Sequence, residues 1–389
     1  MNINSIMKDK KCCGCTACYN ICNIKAIKMI PNSEGFLYPY VDNAKCVKCT
    51  KCINICPVLN DDLNRNTVDN RAYAVKNKNQ EIRSKSSSGG AFYALASNVI
   101  NSGGVIYGAI FDDEFNVVHK RAIDLVEMKK MLGSKYVQSD LSNIFQDVKK
   151  DLKLGYEVLF SGTPCQINGL KKFLCVNYDN LITVEIICHG VPSPKVWKLY
   201  VKYFEKKIGK IKSIFFRDES NSWEKYSLRI EFFNRKKYIK STDNDLYMRG
   251  FLSNLYLRPS CSVCHFKDKY RAADFTIADF WGIKYVLPKI YDGNGISLVL
   301  THSKKAYELL NKLNYVEKIE VDYDEAIIRN LSLMNPSIAN DKRGKFFNEI
   351  RKNNDIIKIL YHYTKDNYIQ KMKKFLLWIY SIMSYIRKV

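Results

Sequence analysis

Cys12, Cys15, Cys18 and Cys22 follow the spacing C-x2-C-x2-C-x3-C, and Cys46, Cys49, Cys52 and Cys56 repeat it with Pro57 behind the last. Nothing else in the chain restricts its fold as severely. Three thiols spaced two apart sit on one tight loop that covers a face of an iron-sulfur cubane, and the fourth begins a helix that leads toward a second cubane. A duplicated run of this kind implies ligands that cross between its halves. Cys12, Cys15, Cys18 and Cys56 are therefore expected to hold one 4Fe-4S cluster, and Cys46, Cys49, Cys52 and Cys22 the other. Zinc also takes four thiolates, but its ligands usually arrive as separated C-x2-C pairs. Asn23 rather than proline follows Cys22, which loosens a turn without removing a ligand. Cys13 is surplus and reads as an unligated loop residue.

Apolar runs at 26–30 and 36–41 flank Pro31-Asn32-Ser33-Glu34-Gly35 and predict a hairpin with a five-residue turn between the two cysteine runs. Residues 1–61 are thus expected to form a bacterial-type 2x4Fe-4S ferredoxin domain of the α+β class, closed by the polar stretch 60–66. No apolar segment precedes Cys12, so no secretory signal is read. Clustered thiols in a reducing compartment act as metal ligands before they act as disulfides, and a cytoplasmic location is expected.

Beyond residue 72 the signals alternate between strand and helix. Tyr73–Val75, Val105–Phe111, Glu157–Ser161 and Leu181–Ile187 read as strands, and Ala91–Ile100 as a helix. Residues 72–345 are expected to form an α/β domain. Runs at 213–216, 226–233 and 237–240 look like an antiparallel insertion, which would make the sheet mixed. Residues 346–389 read as a basic and apolar helical tail with a short C-terminal helix. Its uncharged run Phe375–Ile386 would be ~18 Å long as a helix, short of the ~30 Å hydrocarbon core. It does not span a membrane; packing or a partner is the leading reading, and peripheral contact with the inner face of a membrane is the other.

The chain carries a formal charge of +23. Three thiolate-ligated clusters at about −2 each would leave roughly +17, which still favours acidic partners. No zinc-finger spacing with paired histidines, RNP-like aromatic motif or homeodomain-like helix is present, so no nucleic-acid partner is expected.

Five cysteines lie outside the first domain: Cys165, Cys175, Cys188, Cys261 and Cys264. Cys165 follows one predicted strand, and Cys188 ends another. In α/β sheets ligands gather at the carboxyl ends of strands, so these two are placed for a shared site, with Cys261 and Cys264 as a chelating pair. Four such thiolates fit a third 4Fe-4S cluster or a structural zinc equally well. Cys175 reads as an ordinary buried thiol, and His189 and His265 as packed or solvated. Ser86-Ser87-Ser88-Gly89-Gly90 precedes a helix and offers serine caps and free amides to an anion. Gly133-Ser134-Lys135-Tyr136 brings a cation, a hydroxyl and a ring into one loop. Asp274 and Asp279 are expected to pair with Arg271 and loop amides, the alternative being that they accept hydrogen bonds from a cofactor or substrate.

Together, Ser87-Ser88-Gly89-Gly90-Ala91, Gly133-Ser134-Lys135-Tyr136, Gly162-Thr163-Pro164-Cys165-Gln166, Cys188-His189-Gly190-Val191-Pro192-Ser193, Cys261-Ser262-Val263-Cys264 and Asp279-Phe280-Trp281-Gly282 resemble the coenzyme F420 hydrogenase/dehydrogenase beta-subunit family. The resemblance implies an FAD-binding core with a 4Fe-4S cluster held by Cys165, Cys188, Cys261 and Cys264 beside the flavin. It implies that Ser87, Ser88, Gly89, Gly90, Ser134, Lys135 and Tyr136 lie at that FAD. The implied function is a flavin-dependent iron-sulfur oxidoreductase, with an electron donor or acceptor protein or a small-molecule substrate as partner. Relatives with a ferredoxin domain in front are often associated with polysaccharide biosynthesis. An electron-relay subunit without a substrate of its own is the alternative, and no catalytic side chain is singled out.

Overall fold

The computed structural model describes residues 3–4, 10–60, 70–219, 222–353 and 355–365. In the first domain β1 (Ile27–Pro31) and β2 (Leu37–Val41) pair antiparallel, and short helices at Ala17–Asn20 and Lys51–Asn54 follow the cysteine loops. Gly35 closes the hairpin turn at φ +86°, and the backbone of Lys195 packs 2.6 Å from where a Cβ would stand. Only glycine fits that turn.

The second domain is built on β3 (Arg71–Asn77), β4 (Val105–Phe111), β5 (Val117–Ala122), β6 (Val158–Gly162) and β7 (Leu181–Ile186). A separate meander follows: β8 (Ile211–Asp218), β9 (Ser227–Phe232) and β10 (Lys237–Ser241). β11 (Phe275–Asp279), β12 (Ser297–Thr301) and β13 (Val316–Val321) complete the main sheet, an eight-stranded one of order β13-β3-β12-β11-β7-β6-β4-β5. β4, β6, β7 and β11 run parallel at its centre; β5 on one side and β12, β3 and β13 on the other are antiparallel. The mixed character expected from sequence is present, but for a different reason. The antiparallel runs at 211–241 form their own three-stranded sheet, and the reversals come from the outer strands of the main one.

Alternation along the central strands sorts their side chains between two layers. Val105, Tyr107, Val158 and Phe160 face the helices Ile144–Lys153 and Pro164–Leu174, whereas Ile106 and Leu159 face Ala91–Asn101. Cys13, Cys15, Ala17 and Ile55 of the first domain are buried in the first of these layers, so the two domains share a core. The meander packs on the helix Pro194–Lys207. Phe346, Phe347, Ile350, Ile356, Ile359 and Leu360 from helices at Arg343–Lys352 and Ile356–Thr364 join the same core, which ties the segment after 346 to the body. The apolar run Phe375–Ile386 lies outside the described residues. Among the described residues, no helix is long and apolar enough to cross a membrane.

Candidate functional site

The backbone repeat places eight cysteines in two crossed groups. Cys12, Cys15, Cys18 and Cys56 line one small internal cavity with Ala17, Met29 and Pro57. Burial pushes the Cys18 thiol well up, and charge on Cys12, Cys56 or Cys52 would raise it further. Cys52 in turn lies within electrostatic reach of Cys49, Cys22 and Cys46. The first group is enclosed; in the second, Cys49 is exposed.

A third group forms where the parallel strands end. Cys165 sits in the first turn of the helix after β6, and Cys188 lies in the loop after β7. Cys261 ends up close to both because the backbone amide of Val191 donates to its sulfur at 3.4 Å. Burial pushes the Cys188 thiol up to about 12, and thiolates at Cys165 and Cys264 would oppose its ionisation further. Four ionised sulfurs could share this place only around a cation. Among the described residues, no three His, Cys, Asp or Glu side chains close tightly enough to hold a single metal ion.

The first domain is locked onto the second at this point. Arg258, 1% exposed, donates to the carbonyls of Cys12 at 2.7 Å and Leu37 at 2.9 Å and to Gln138 Oε1 at 2.9 Å. Its guanidinium stacks 4.2 Å over Tyr38. The Cys13 thiol hydrogen-bonds with both Cys15 and Cys165, linking the first group to the third. Cys13 is thus a buried loop residue between two thiol groups.

Cys188 also lines a cavity of about 560 Å³ at the carboxyl ends of β6, β7 and β11. Ser87, Ser88, Gly90, Ser134, Lys135 and Tyr136 line it too. Gly89 does not; it is pressed into the sheet, where a Cβ would stand 2.1 Å from the Val75 carbonyl oxygen. The expected serine cap is absent, because Gly90 at φ +84° occupies the N-cap of the helix Ala91–Asn101. Ser87 Oγ instead accepts from the Ser134 amide at 2.7 Å, fastening the serine turn to the Lys135 loop. The Lys135 ammonium donates to the carbonyls of Leu132 at 3.0 Å and Gly133 at 3.1 Å, and burial lowers it to about 7. Tyr136 stacks on Phe251 at 4.9 Å.

Two cavity residues had no reading from sequence. Arg217 makes a bidentate pair with Asp279 at 2.8 and 3.0 Å and donates to the Ser87 carbonyl at 3.1 Å. The signal for it was a cation directly after the apolar run Ile214-Phe215-Phe216. His119, in β5, stacks on Phe160, and its Nε2 lies 2.9 Å from the Ser161 carbonyl. As the donor to that carbonyl, Nε2 carries the proton and leaves Nδ1 an acceptor. His119 Nδ1, Ser88 Oγ and Asn330 Nδ2 are buried without a hydrogen-bond partner among the described residues, and all three residues line the cavity.

Other expectations are corrected. Arg271 pairs with Glu185, while Asp274 accepts from the Thr183 amide at 2.9 Å and hydroxyl at 2.7 Å and from Ser303. Cys175 is exposed, because it ends its helix in the left-handed region at φ 62°. The two histidines are as read from sequence, one packed and one solvated: His189 packs edge-on to Phe251 and bonds Asn254 at 2.6 Å, and His265 is exposed.

Residues 155–326 match the family model for the C terminus of the coenzyme F420 hydrogenase/dehydrogenase beta subunit, and residues 11–60 match that of a 4Fe-4S dicluster domain. The chain is accordingly an iron-sulfur protein of oxidoreductase kinship. Among solved structures, a chain of the F420-reducing NiFe hydrogenase complex from Methanosarcina barkeri, studied as a xenon derivative, is similar over 67% of this chain and 86% of its own. Identity there is 18% and the TM-score 0.47. No curated protein matches.

Proposed function

We propose that this chain is an iron-sulfur flavoprotein oxidoreductase that exchanges electrons between a partner and a substrate at the cavity of about 560 Å³. The observation that carries the reading is a continuous file of sulfur. It starts at the exposed group Cys22, Cys46, Cys49 and Cys52 and passes through the enclosed group Cys12, Cys15, Cys18 and Cys56. From there it crosses Cys13 and ends at Cys165, Cys261, Cys264 and Cys188, the last of which lines the cavity. Each group has the four thiols that a 4Fe-4S cluster takes. The cavity fits FAD in kind: its volume is in the range of cofactor sites, and three residues of its lining, Ser88, His119 and Asn330, each carry a buried polar atom with no partner among the described residues. When bound, clusters supply one-electron and flavin two-electron chemistry.

In this reading the chain's own residues hold and position. Ser88 and His119 Nδ1 would hydrogen-bond the flavin, the serine turn and Lys135 loop form one clamp, and Arg217 with Asp279 would shape the far wall. Val137, Met131 and Phe251 exclude water. The suggested link to polysaccharide biosynthesis rests on the family resemblance alone. Anaerobic purification followed by iron, sulfide and flavin assays tests the proposal. About twelve irons and one FAD per chain are expected, with about four irons lost in Cys188→Ser. A colourless or zinc-loaded preparation would overturn it.

A further inference from the structure

The two cysteine loops share one backbone and have opposite surroundings. Gly14 and Lys48 precede the second cysteine of their runs at φ +74° and +56°, and Thr16 and Thr50 follow it at +62° and +59°. Cys13 and Val47 occupy equivalent positions, yet Cys13 is 9% exposed and Val47 68%. The first loop faces Arg258 and the body of the protein. The second faces solvent, and a lysine precedes each of its first three cysteines: Lys45-Cys46, Lys48-Cys49 and Lys51-Cys52.

These lysines and Lys25, near Cys22, are exposed, and none has an ion pair or side-chain hydrogen bond among the described residues. Residues 10–60 contain only two acidic residues, Glu34 and Asp42; Glu34 is held by Arg343, and Asp42 accepts from the Ala44 amide. Lys48 occupies a left-handed conformation that suits glycine, and glycine is what the inward loop has there. Val47 and Ile24, 68% and 44% exposed, add apolar surface to this cationic group. An apolar centre with a charged rim is the anatomy of a protein interface, and a one-signed rim accelerates encounter with an opposite charge.

We infer that this face docks an acidic electron-carrier protein of the ferredoxin or flavodoxin kind, whose carboxylates meet Lys25, Lys45, Lys48 and Lys51. The inference rests on the proposed reading that Cys22, Cys46, Cys49 and Cys52 hold a cluster, because only then does a carrier have reason to dock there. Calorimetric titration of the full-length, iron-loaded protein with an acidic 2x4Fe-4S ferredoxin tests it, with Kd as the readout. Raising salt from about 50 to 300 mM should weaken binding at least about tenfold. Lys45→Glu/Lys48→Glu/Lys51→Glu should do the same at low salt, with the corresponding Lys→Gln triple in between. Lys206→Glu/Lys207→Glu/Lys236→Glu, a reversal on exposed lysines of the second domain, should stay within about twofold. Binding indifferent to salt and to the first triple, in protein with its full iron, overturns the docking face and leaves the cluster reading standing. Protein without iron at the second group overturns both. Capture by phosphatidylserine vesicles with no ferredoxin complex overturns the protein partner in favour of an acidic lipid surface.

Discussion

Gly169 lies inside the helix Pro164–Leu174, where replacing glycine by alanine ordinarily stabilises by about 0.8–1 kcal/mol. Here the sign should reverse. A Cβ on Gly169 would stand 2.8 Å from Cys15 Cβ and 2.9 Å from its sulfur, with Phe145 closing another side at 3.4 Å. Carbon atoms in contact prefer about 3.5–4.0 Å, so the Cys15 loop must retreat by most of an ångström. Overpacking of this kind costs about 1–3 kcal/mol, which at the least cancels the helix gain and leaves a net loss of up to about 2 kcal/mol. The loop that moves carries Cys12, Cys15 and Cys18. Gly169→Ala should therefore lower the melting temperature by a few degrees and reduce the iron bound at the first group. Thermal unfolding of iron-loaded protein, with iron counted per chain, measures both. A raised melting temperature with full iron would show that the cysteine loop does not rest on this helix.

Gly89→Ala should be more severe, because its Cβ would meet the Val75 carbonyl at 2.1 Å and the Ser297 amide at 2.6 Å, both backbone and unable to yield; loss of soluble protein is expected on expression. Arg217→Lys keeps the charge but not the fork that grips Asp279, and the flavin-to-protein ratio should fall several-fold while iron is unchanged. Cys13→Val copies the equivalent Val47 and should leave iron content at about twelve per chain; a loss of about four would make Cys13 a ligand. Burial, reinforced by the charge of Arg271, lowers His302 to about 3 from an ordinary 6.5, so the fold holds it neutral while the unfolded chain protonates it. Its contribution to stability is complete above about pH 6.5 and is lost as pH falls toward 3, by up to about 1.4 kcal/mol per pH unit. Urea midpoints at pH 7 and pH 5 should differ less in His302→Gln than in the parent.

The cysteine runs, the hairpin between them and the central strands were legible in sequence because each is a local pattern whose chemistry needs those spacings. The serine turn was legible as an anion site but not as a clamp, since its partner Ser134 is 47 residues away. Arg258 was invisible for the same reason: the cation that joins the domains grips a carbonyl 246 residues earlier. Arg217 meets Asp279 only because the meander brings it to the carboxyl end of β11, 62 residues later in the chain. Cys175 was misread because an apolar neighbourhood in sequence says nothing about where a helix stops. The Asp274 and Arg271 pairing was misread because the fold brings both beside β7, whose Thr183 and Glu185, 91 and 86 residues earlier in the chain, are their partners.

The inequality between the two halves of the cysteine repeat is itself information about domain arrangement. At the position before the second cysteine both loops need a positive φ, which glycine supplies without cost and lysine does not. In the inward loop a side chain would displace the Arg258 guanidinium, 2.7 Å from the Cβ position of Gly14, and the Gln138 amide, 2.9 Å from it, and so break the contacts that join the domains. In the outward loop no such neighbour is packed on Lys48, and a lysine can be held there for its charge. Glycine thus marks the half that docks and lysine the half that stays exposed. From that one difference follow the order of the sulfur groups, the end of the file that reaches the cavity, and the end left open to a partner.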